Sequence, residues 1–509
     1  MIKNLIVRLN LYCFLFLSII ILSLILNFYQ FDSNPPGLYI DEVSIGVNAY
    51  SILKTGKDEY GQRYPVYFKS LNDYKLPVYI YLTSLSMYFF GKNEFAVRFP
   101  SVFFGTLAII FIVLLMNELL LSDKTHNYLH RRKYSLLTSF LIAVSPWFLQ
   151  FVGPAFEVTV AFSFLIMAGY FILKSYRNRN LYMFVLGLFF LDITIYTYHS
   201  YKLFTPVILI YLLIYLFKQH KIYKHNALRI IITLLFILPV ILIYLIPLSN
   251  TRFFQASAFS SITLNDVIIF INNYISYFST DFLFSFGDGF SRHQFLNFGP
   301  LARWTLPFML TGLFVLYKSN KSYLKSAIFA VLFIAPIPAS LALPSPHTLR
   351  SFTIILAYMS LISYGILFIS QKFKNKISLC TVIIVLIFIY EFSIYIHYGF
   401  YHYPKVSQVD WGGNYKEVVE KSSFLSRQYK NIVIDMKSPF ALEYFRFYND
   451  ELKPLVIKSG WKKDKTSQND RILVITDDKT GQTPASEKFI GNVYLTNINK
   501  DIFAQFWEL

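Results

Sequence analysis

Eleven apolar runs, at roughly residues 9–29, 97–120, 134–150, 156–173, 181–196, 203–217, 230–248, 301–317, 326–343, 351–370 and 377–398, decide what this chain can fold into. A helix needs about 20 apolar residues to cross the hydrocarbon core of a bilayer, and inside that core a backbone must satisfy its own hydrogen bonds. With 55% of its 509 residues hydrophobic, 19% aromatic and a mean hydropathy of +0.46, the chain is too apolar for a soluble globule. The expected fold is an α-helical polytopic membrane protein with about 11 transmembrane helices. Residues 77–90, an apolar run of 14, suit a helix lying at the interface instead of crossing. Residues 1–29 lead from Lys3 and Arg8 into an apolar run with no small-residue cleavage site, the pattern of an uncleaved first span.

The formal charge of +18 is a topology signal before it is a nucleic-acid signal. With the N-terminus cytoplasmic, the cytoplasmic connections carry 19 Lys and Arg, among them Arg131, Arg132 and Lys133, whereas the short connections opposite carry only Lys202 and Arg350. That asymmetry sets the orientation, predicts no nucleic-acid partner, and puts the long loops 30–96 and 249–300 outside, together with everything after residue 399. The setting expected is a prokaryotic cell membrane. Cys13 and Cys380 both lie inside apolar runs, which leaves no disulfide framework and no cysteine-based metal site.

Residues 1–403 read as the membrane domain. The tail, 404–509, changes character: "NIVIDM", "PLVIK", "RILVIT" and "NVYL" read as short strands, with helical patterns at 413–429 and 439–450. A small extracytoplasmic α/β domain is expected there.

Sorting the polar residues by side gathers Asp41, Glu42, Lys75, Glu157, His199, Lys202, His347 and Arg350 on the outer side, at connections or span ends. Ionisable groups at membrane depth carry a functional expectation, yet each has a structural alternative. Asp41 and Glu42 suit the first turn of a helix over "DEVSIGVNAY". Glu157 follows the Gly153-Pro154 break and could cap the next helix. His199 sits in a tyrosine-rich interface belt with Tyr196, Tyr198 and Tyr201, and Lys75 and Lys202 could snorkel to headgroups. His347 and Arg350 open a helix from outside, where the dipole prefers an anion, and a bound phosphate would reconcile the two. Asp192 is the one carboxylate read as lying well inside a span, and it is assigned no role.

Carboxylates facing a lipid suit a general base that takes a proton from an acceptor, while Lys and Arg neutralise a phosphate leaving group. General-base assistance is worth on the order of 10² to 10⁴ in rate.

Four stretches carry a resemblance: "YIDEVSIGVNAYSI", "YKLPVYIYLTSLSMYFFGKNEFAVRFPSVFFGTLAIIFIVLL", "SPWFLQFVGPAFEVTVAFSFLIMAGYFIL" and "YTYHSYKLF". They are similar to the dolichyl-phosphate-mannose protein mannosyltransferase and aminoarabinose transferase families of the GT-C superfamily. In those families an acidic motif in the first external loop precedes a Lys or His with Pro-Pro-Leu and then an Arg-Leu-Pro-Ser. The resemblance spans about residues 30–205 and is looser around "SPHTLRSFTIILAYMSLISYGI"; Leu76-Pro77-Val78 lacks one of the usual prolines. It implies an integral membrane glycosyltransferase. Asp41 would be the catalytic carboxylate with Glu42 its companion and Glu157 a second acidic position; Lys75 and, more loosely, Arg350 would meet the donor phosphate. His199, Lys202 and His347 remain substrate-binding candidates.

The expected reaction is inverting transfer of a hexose or pentose from a polyprenyl-phosphate-linked donor to a protein, glycan or lipid acceptor. No cofactor is expected, with a divalent metal on Asp41, Glu42 and Glu157 as the open alternative. The competing hypothesis is a non-enzymatic lipid-linked-sugar translocator or surface assembly factor. It is disfavoured because no chain of ionisable residues runs through the spans.

Overall fold

The computed structural model describes residues 2–29, 31, 33–70, 73–122, 128–220, 226–245, 263–295, 297–320, 322–372, 377–426, 431–435, 440–449, 455–457, 472–476, 488–494 and 502–508. Among the described residues, eight helices are long and apolar enough to cross a membrane: Asn10–Phe28, Glu94–Leu121, Glu157–Asn178, Tyr201–Gln219, Asn226–Leu245, Tyr323–Ser340, Phe352–Lys372 and Thr381–Val406. They match eight of the eleven expected spans, and the chain is an integral multi-pass membrane protein.

The other three candidates depart from a straight crossing for local reasons. The run at 134–150 breaks at Ser145, whose hydroxyl accepts from the Phe148 N–H at 3.2 Å while Pro146 opens a new helix, bending the path by 60°. The run at 181–196 is a short apolar helix, Leu181–Tyr196. The run at 301–317 yields a helix of 13 residues, Leu306–Lys318, after a single turn at Arg303–Thr305. Residues Pro77–Phe90 form a helix of 14 residues, the length expected of an interfacial element.

The chain divides into two compact units. The first comprises residues 1–29, 65–79 and 99–396; the second comprises 30–64, 80–98 and 397–509. The second unit thus joins residues 30–64 and 80–98 of the first long loop to the tail.

In the first unit the helices approach closely where side chains are smallest. A Cβ on Gly312 would lie 1.9 Å from the Leu361 carbonyl oxygen, and one on Gly365 would lie 2.0 Å from that of Phe308. Helices Leu306–Lys318 and Ile355–Lys372 thus meet backbone to backbone, the small-residue contact that substitutes for hydrophobic drive inside lipid. A second apolar core gathers Leu188, Leu191, Ile195, Leu209 and Leu212 beside a two-stranded hairpin, β1 (Phe68–Ser70) and β2 (Asp73–Lys75).

The second unit holds the helix Ile40–Thr55 and a five-stranded sheet from the tail. Its strands are β3 (Asn431–Asp435), β4 (Leu455–Ile457), β5 (Ile472–Thr476), β6 (Lys488–Tyr494) and β7 (Ile502–Glu508), in the order β4-β3-β5-β7-β6. β3 runs parallel to β4 and β5, and β7 antiparallel to β5 and β6. Four strands correspond to the expected ones; β7 is additional. The helices Gly413–Ser426 and Ala441–Tyr448 fall where helical patterns were read.

Candidate functional site

Asp41 and Glu42 occupy the first turn of helix Ile40–Thr55, Asp41 half-buried and Glu42 fully buried. Their fates differ. Both Glu42 oxygens are engaged: Oε1 accepts from Arg98 Nε at 3.0 Å, Oε2 from Arg98 Nη2 at 3.0 Å, and Oε2 also from the Tyr39 N–H at 3.2 Å. Arg98 is equally committed, its Nη1 donating to the Pro35 carbonyl at 3.0 Å and its Nη2 to that of Gly37. This planar fork ties the approach segment, the helix start and the Arg98 helix into one knot.

The tail braces the same helix. Trp411 meets the Tyr39 ring edge to face at 5.5 Å, and a Cβ on Gly46 would lie 2.5 Å from the Phe447 ring. Arg446 Nη1 bridges two buried carboxylates, Glu59 Oε2 at 3.1 Å and Glu443 Oε1 at 2.9 Å, while Asn48 donates to Glu59 Oε1 at 2.9 Å. Burial, then the neighbouring Glu443 charge, pushes the Glu59 carboxyl up to about 7 against the opposing pull of Asn48 and Arg446.

In the first unit, Lys75 is buried at the end of β2, directly across from Phe68. Next to Phe68 stands Tyr67, and the buried Lys202 lies with its Nζ 5.6 Å from the centre of that ring. Lys75 is thus part of the hairpin, and Lys202 approaches the residue that leads into it. His199, half-buried, precedes the helix Tyr201–His220 that carries Lys202. Glu157 is the half-buried first residue of helix Glu157–Asn178, placed by the break after Val152.

Two residues unmarked by the sequence reading, Asp288 and His293, form a cluster with His347. Asp288 Oδ2 lies 2.7 Å from His293 Nδ1 and 3.8 Å from His347 Nδ1, and it accepts from the Thr348 N–H at 2.9 Å and the Thr348 hydroxyl at 2.6 Å. Burial alone would raise the Asp288 carboxyl, but the hydrogen bond and charge of His293, the charge of His347 and the Thr348 hydroxyl hold it at about 2. Trp147 Nε1 donates to the Thr348 carbonyl at 3.2 Å, and the rings of Phe151 and Phe156 pack on His293 at 5.6 and 5.9 Å, so the cluster adjoins the break that presents Glu157.

One carboxylate and two imidazoles whose ligand atoms all lie within 4.8 Å of one another make the donor set of a divalent cation of the zinc type. Among the described residues this is where such a set converges, while Glu42 is engaged by Arg98.

Arg350 Nη1 donates to the carbonyls of Leu343 and Pro344 at 3.0 and 3.2 Å, fastening the segment ahead of His347. Asp192 is buried, and neither of its carboxylate oxygens finds a hydrogen-bond donor among the described residues. It is also not alone in the apolar runs. Glu391 accepts from the N–H groups of Arg303 and Trp304 at 3.0 and 3.4 Å, capping the turn before helix Leu306–Lys318, and Glu118 pairs with Arg177 at 2.9 Å.

No family model matches the sequence, and no curated protein matches it. Solved structures do. ArnT from Cupriavidus metallidurans in the apo state aligns with a TM-score of 0.57 and 11% identity over 98% of each chain. The chain has the fold of ArnT. The same Cupriavidus protein bound to undecaprenyl phosphate aligns with a TM-score of 0.57 and 11% identity over 97% of each chain. The Archaeoglobus fulgidus oligosaccharyltransferase tethered to an acceptor peptide aligns with a TM-score of 0.50 and 14% identity over 87% of this chain and 59% of its own.

Proposed function

We propose that this chain is an extracytoplasmic-face glycosyltransferase that moves a sugar from a polyprenyl-phosphate donor to an acceptor with inversion at the anomeric carbon. The observation that carries it is the alignment, over 97% of both chains, with ArnT bound to undecaprenyl phosphate. The buried Lys75 on the β1–β2 hairpin, with the buried Lys202 against Tyr67 at its approach, supports it.

The acceptor's hydroxyl or amine attacks the anomeric carbon as the bond from that carbon to the phosphate oxygen breaks. Asp41 takes the proton that the nucleophile sheds, and the polyprenyl phosphate departs with the bonding electron pair. Lys75, aided by Lys202, neutralises the phosphate; near a low-dielectric phase that charge compensation is the larger contribution to rate. Glu157 orients the acceptor.

Glu42 serves as a positioning residue, because both of its carboxylate oxygens are already engaged by Arg98 and the Tyr39 N–H. Arg350, fastened to two carbonyls, positions the His347 segment and is a weaker candidate for phosphate than either lysine.

The test is to incubate membranes containing the protein with labelled polyprenyl-phosphate sugars. Label appearing in a glycosylated product supports transfer; label crossing the membrane without product supports a translocator and overturns transfer.

A further inference from the structure

Within the long loop 249–300 the first unit carries a helix, Leu264–Ser276, that buries none of its residues. A capping box starts it: the Thr263 hydroxyl accepts from the Asp266 N–H at 3.2 Å, and Asp266 Oδ2 accepts from the Thr263 N–H at 2.8 Å.

At about 100° per residue the side chains sort into three flanks. Leu264, Val267, Ile268, Ile271 and Ile275 form one apolar stripe, each between 44% and 79% exposed. Beside it lie Asn265 and Asn272, also exposed. The third flank faces the protein: the Asn273 carboxamide donates to the Ser340 carbonyl at 3.2 Å, and the Tyr274 hydroxyl to the Phe333 carbonyl at 2.9 Å. Just past the helix, Tyr277 is fully buried, its hydroxyl accepting from the His347 N–H at 3.0 Å and its carbonyl from the Tyr358 hydroxyl at 3.1 Å. Held at these points, the helix cannot roll to hide its stripe against its own chain.

The two contacts with the span Tyr323–Ser340 give the stripe a direction. At 18 residues that span is only just long enough to cross the hydrocarbon. Ser340 therefore lies at a membrane boundary, and Phe333, about 10 Å back along the axis, lies deeper. Asn273, on the side of the polar flank, takes hold at the boundary; Tyr274, on the side of the stripe, reaches for the deeper carbonyl. The stripe thus faces into the membrane, continuous with the exposed Phe333 and Ile337 of the span, while Asn265 and Asn272 face water.

Charge supplies none of this attraction. Residues 263–291 contain no Lys or Arg, and Asp266 in the helix would be repelled by anionic headgroups.

We propose that helix Leu264–Ser276 is a membrane-surface anchor, lying in the plane of the interface with its stripe among the acyl chains and held there by apolar burial without help from anionic lipid. The anchor is independent of the glycosyltransferase reading.

Ile268→Cys, Ile271→Cys, Asn265→Cys and Asn272→Cys are introduced one at a time into the full chain carrying Cys13→Ala and Cys380→Ala. Each is spin-labelled and reconstituted into vesicles of phosphatidylcholine, with and without phosphatidylglycerol. Power-saturation EPR compares collisions with oxygen, which concentrates among acyl chains, and with a water-soluble nickel chelate. Labels at Ile268→Cys and Ile271→Cys are expected to favour oxygen several-fold more than those at Asn265→Cys and Asn272→Cys, equally in both vesicles. An unchanged melting temperature shows that each variant is folded, and Leu264→Cys and Ile275→Cys replace a stripe variant that is not. Stripe labels as open to nickel as the asparagine positions would put the helix in water. Stripe labels shielded from both reagents would mean that protein, such as a second copy of the chain, covers them. Either result overturns the anchor, and an oxygen preference that requires phosphatidylglycerol overturns its apolar basis.

Discussion

Glu42 gives both carboxylate oxygens to Arg98, at 3.0 Å each, with both side chains fully buried. Asp41, one residue earlier, is half-buried. Adjacent acids thus stand in different settings, one fully buried and anchoring the helix start, the other half-buried.

Breaking a buried pair by removing one partner leaves an uncompensated charge and costs about 3–5 kcal/mol. Glu42→Ala and Arg98→Ala are therefore expected to lower the melting temperature of the detergent-solubilised protein by several degrees. Arg98→Lys should recover little, because an ammonium cannot span two carboxylate oxygens and two carbonyls. Thermal unfolding that leaves either alanine variant as stable as the native chain would remove the anchor role.

Glu59 gives the second unit a pH dependence of definite sign. Its carboxyl is raised from 4.5 to about 7 by burial and by Glu443. Between those values the folded chain holds a proton that the unfolded chain has released, so this group's stabilising contribution falls as pH rises from about 4.5 to about 7 and stays lost above that. Melting temperatures from pH 5 to 8 should therefore decline more steeply for the native chain than for Glu59→Gln. Parallel profiles would place the titration elsewhere.

The first unit invites a metal assay. If Asp288, His293 and His347 hold a divalent cation, elemental analysis of the purified protein should find close to one equivalent, falling sharply in His293→Ala. A chelator should lower the melting temperature and added zinc restore it. Metal content unchanged by the substitution would assign the cluster to hydrogen bonding alone, Asp288 simply tying His293 to Thr348.

Much of this was legible in the sequence. Eight spans follow directly from apolar length, and the first-turn placement of Asp41 and Glu42 follows from "YIDEV" opening a helix. What escaped was set by contacts between distant positions. Asp288 and His293 lie in a loop without periodicity, 59 and 54 positions from His347, so no local pattern joins them to it. Glu391 escaped because one acid in a long apolar run reads as a tolerated exception until the unsatisfied N–H groups of Arg303 and Trp304 are seen to need it. β7 escaped because "IFAQFWE" is apolar on both faces and shows no clean alternation. The bend at Ser145-Pro146 was written in the chain, but inside an apolar run it is outweighed by hydropathy.

The most direct test of the central claim is the rate of transfer from a polyprenyl-phosphate sugar by Asp41→Asn in reconstituted vesicles, with folding checked by an unchanged melting temperature. Loss of the general base should slow turnover by about 10² to 10⁴ while leaving donor affinity nearly unchanged. A variant that turns over at the native rate would contradict the role given to Asp41.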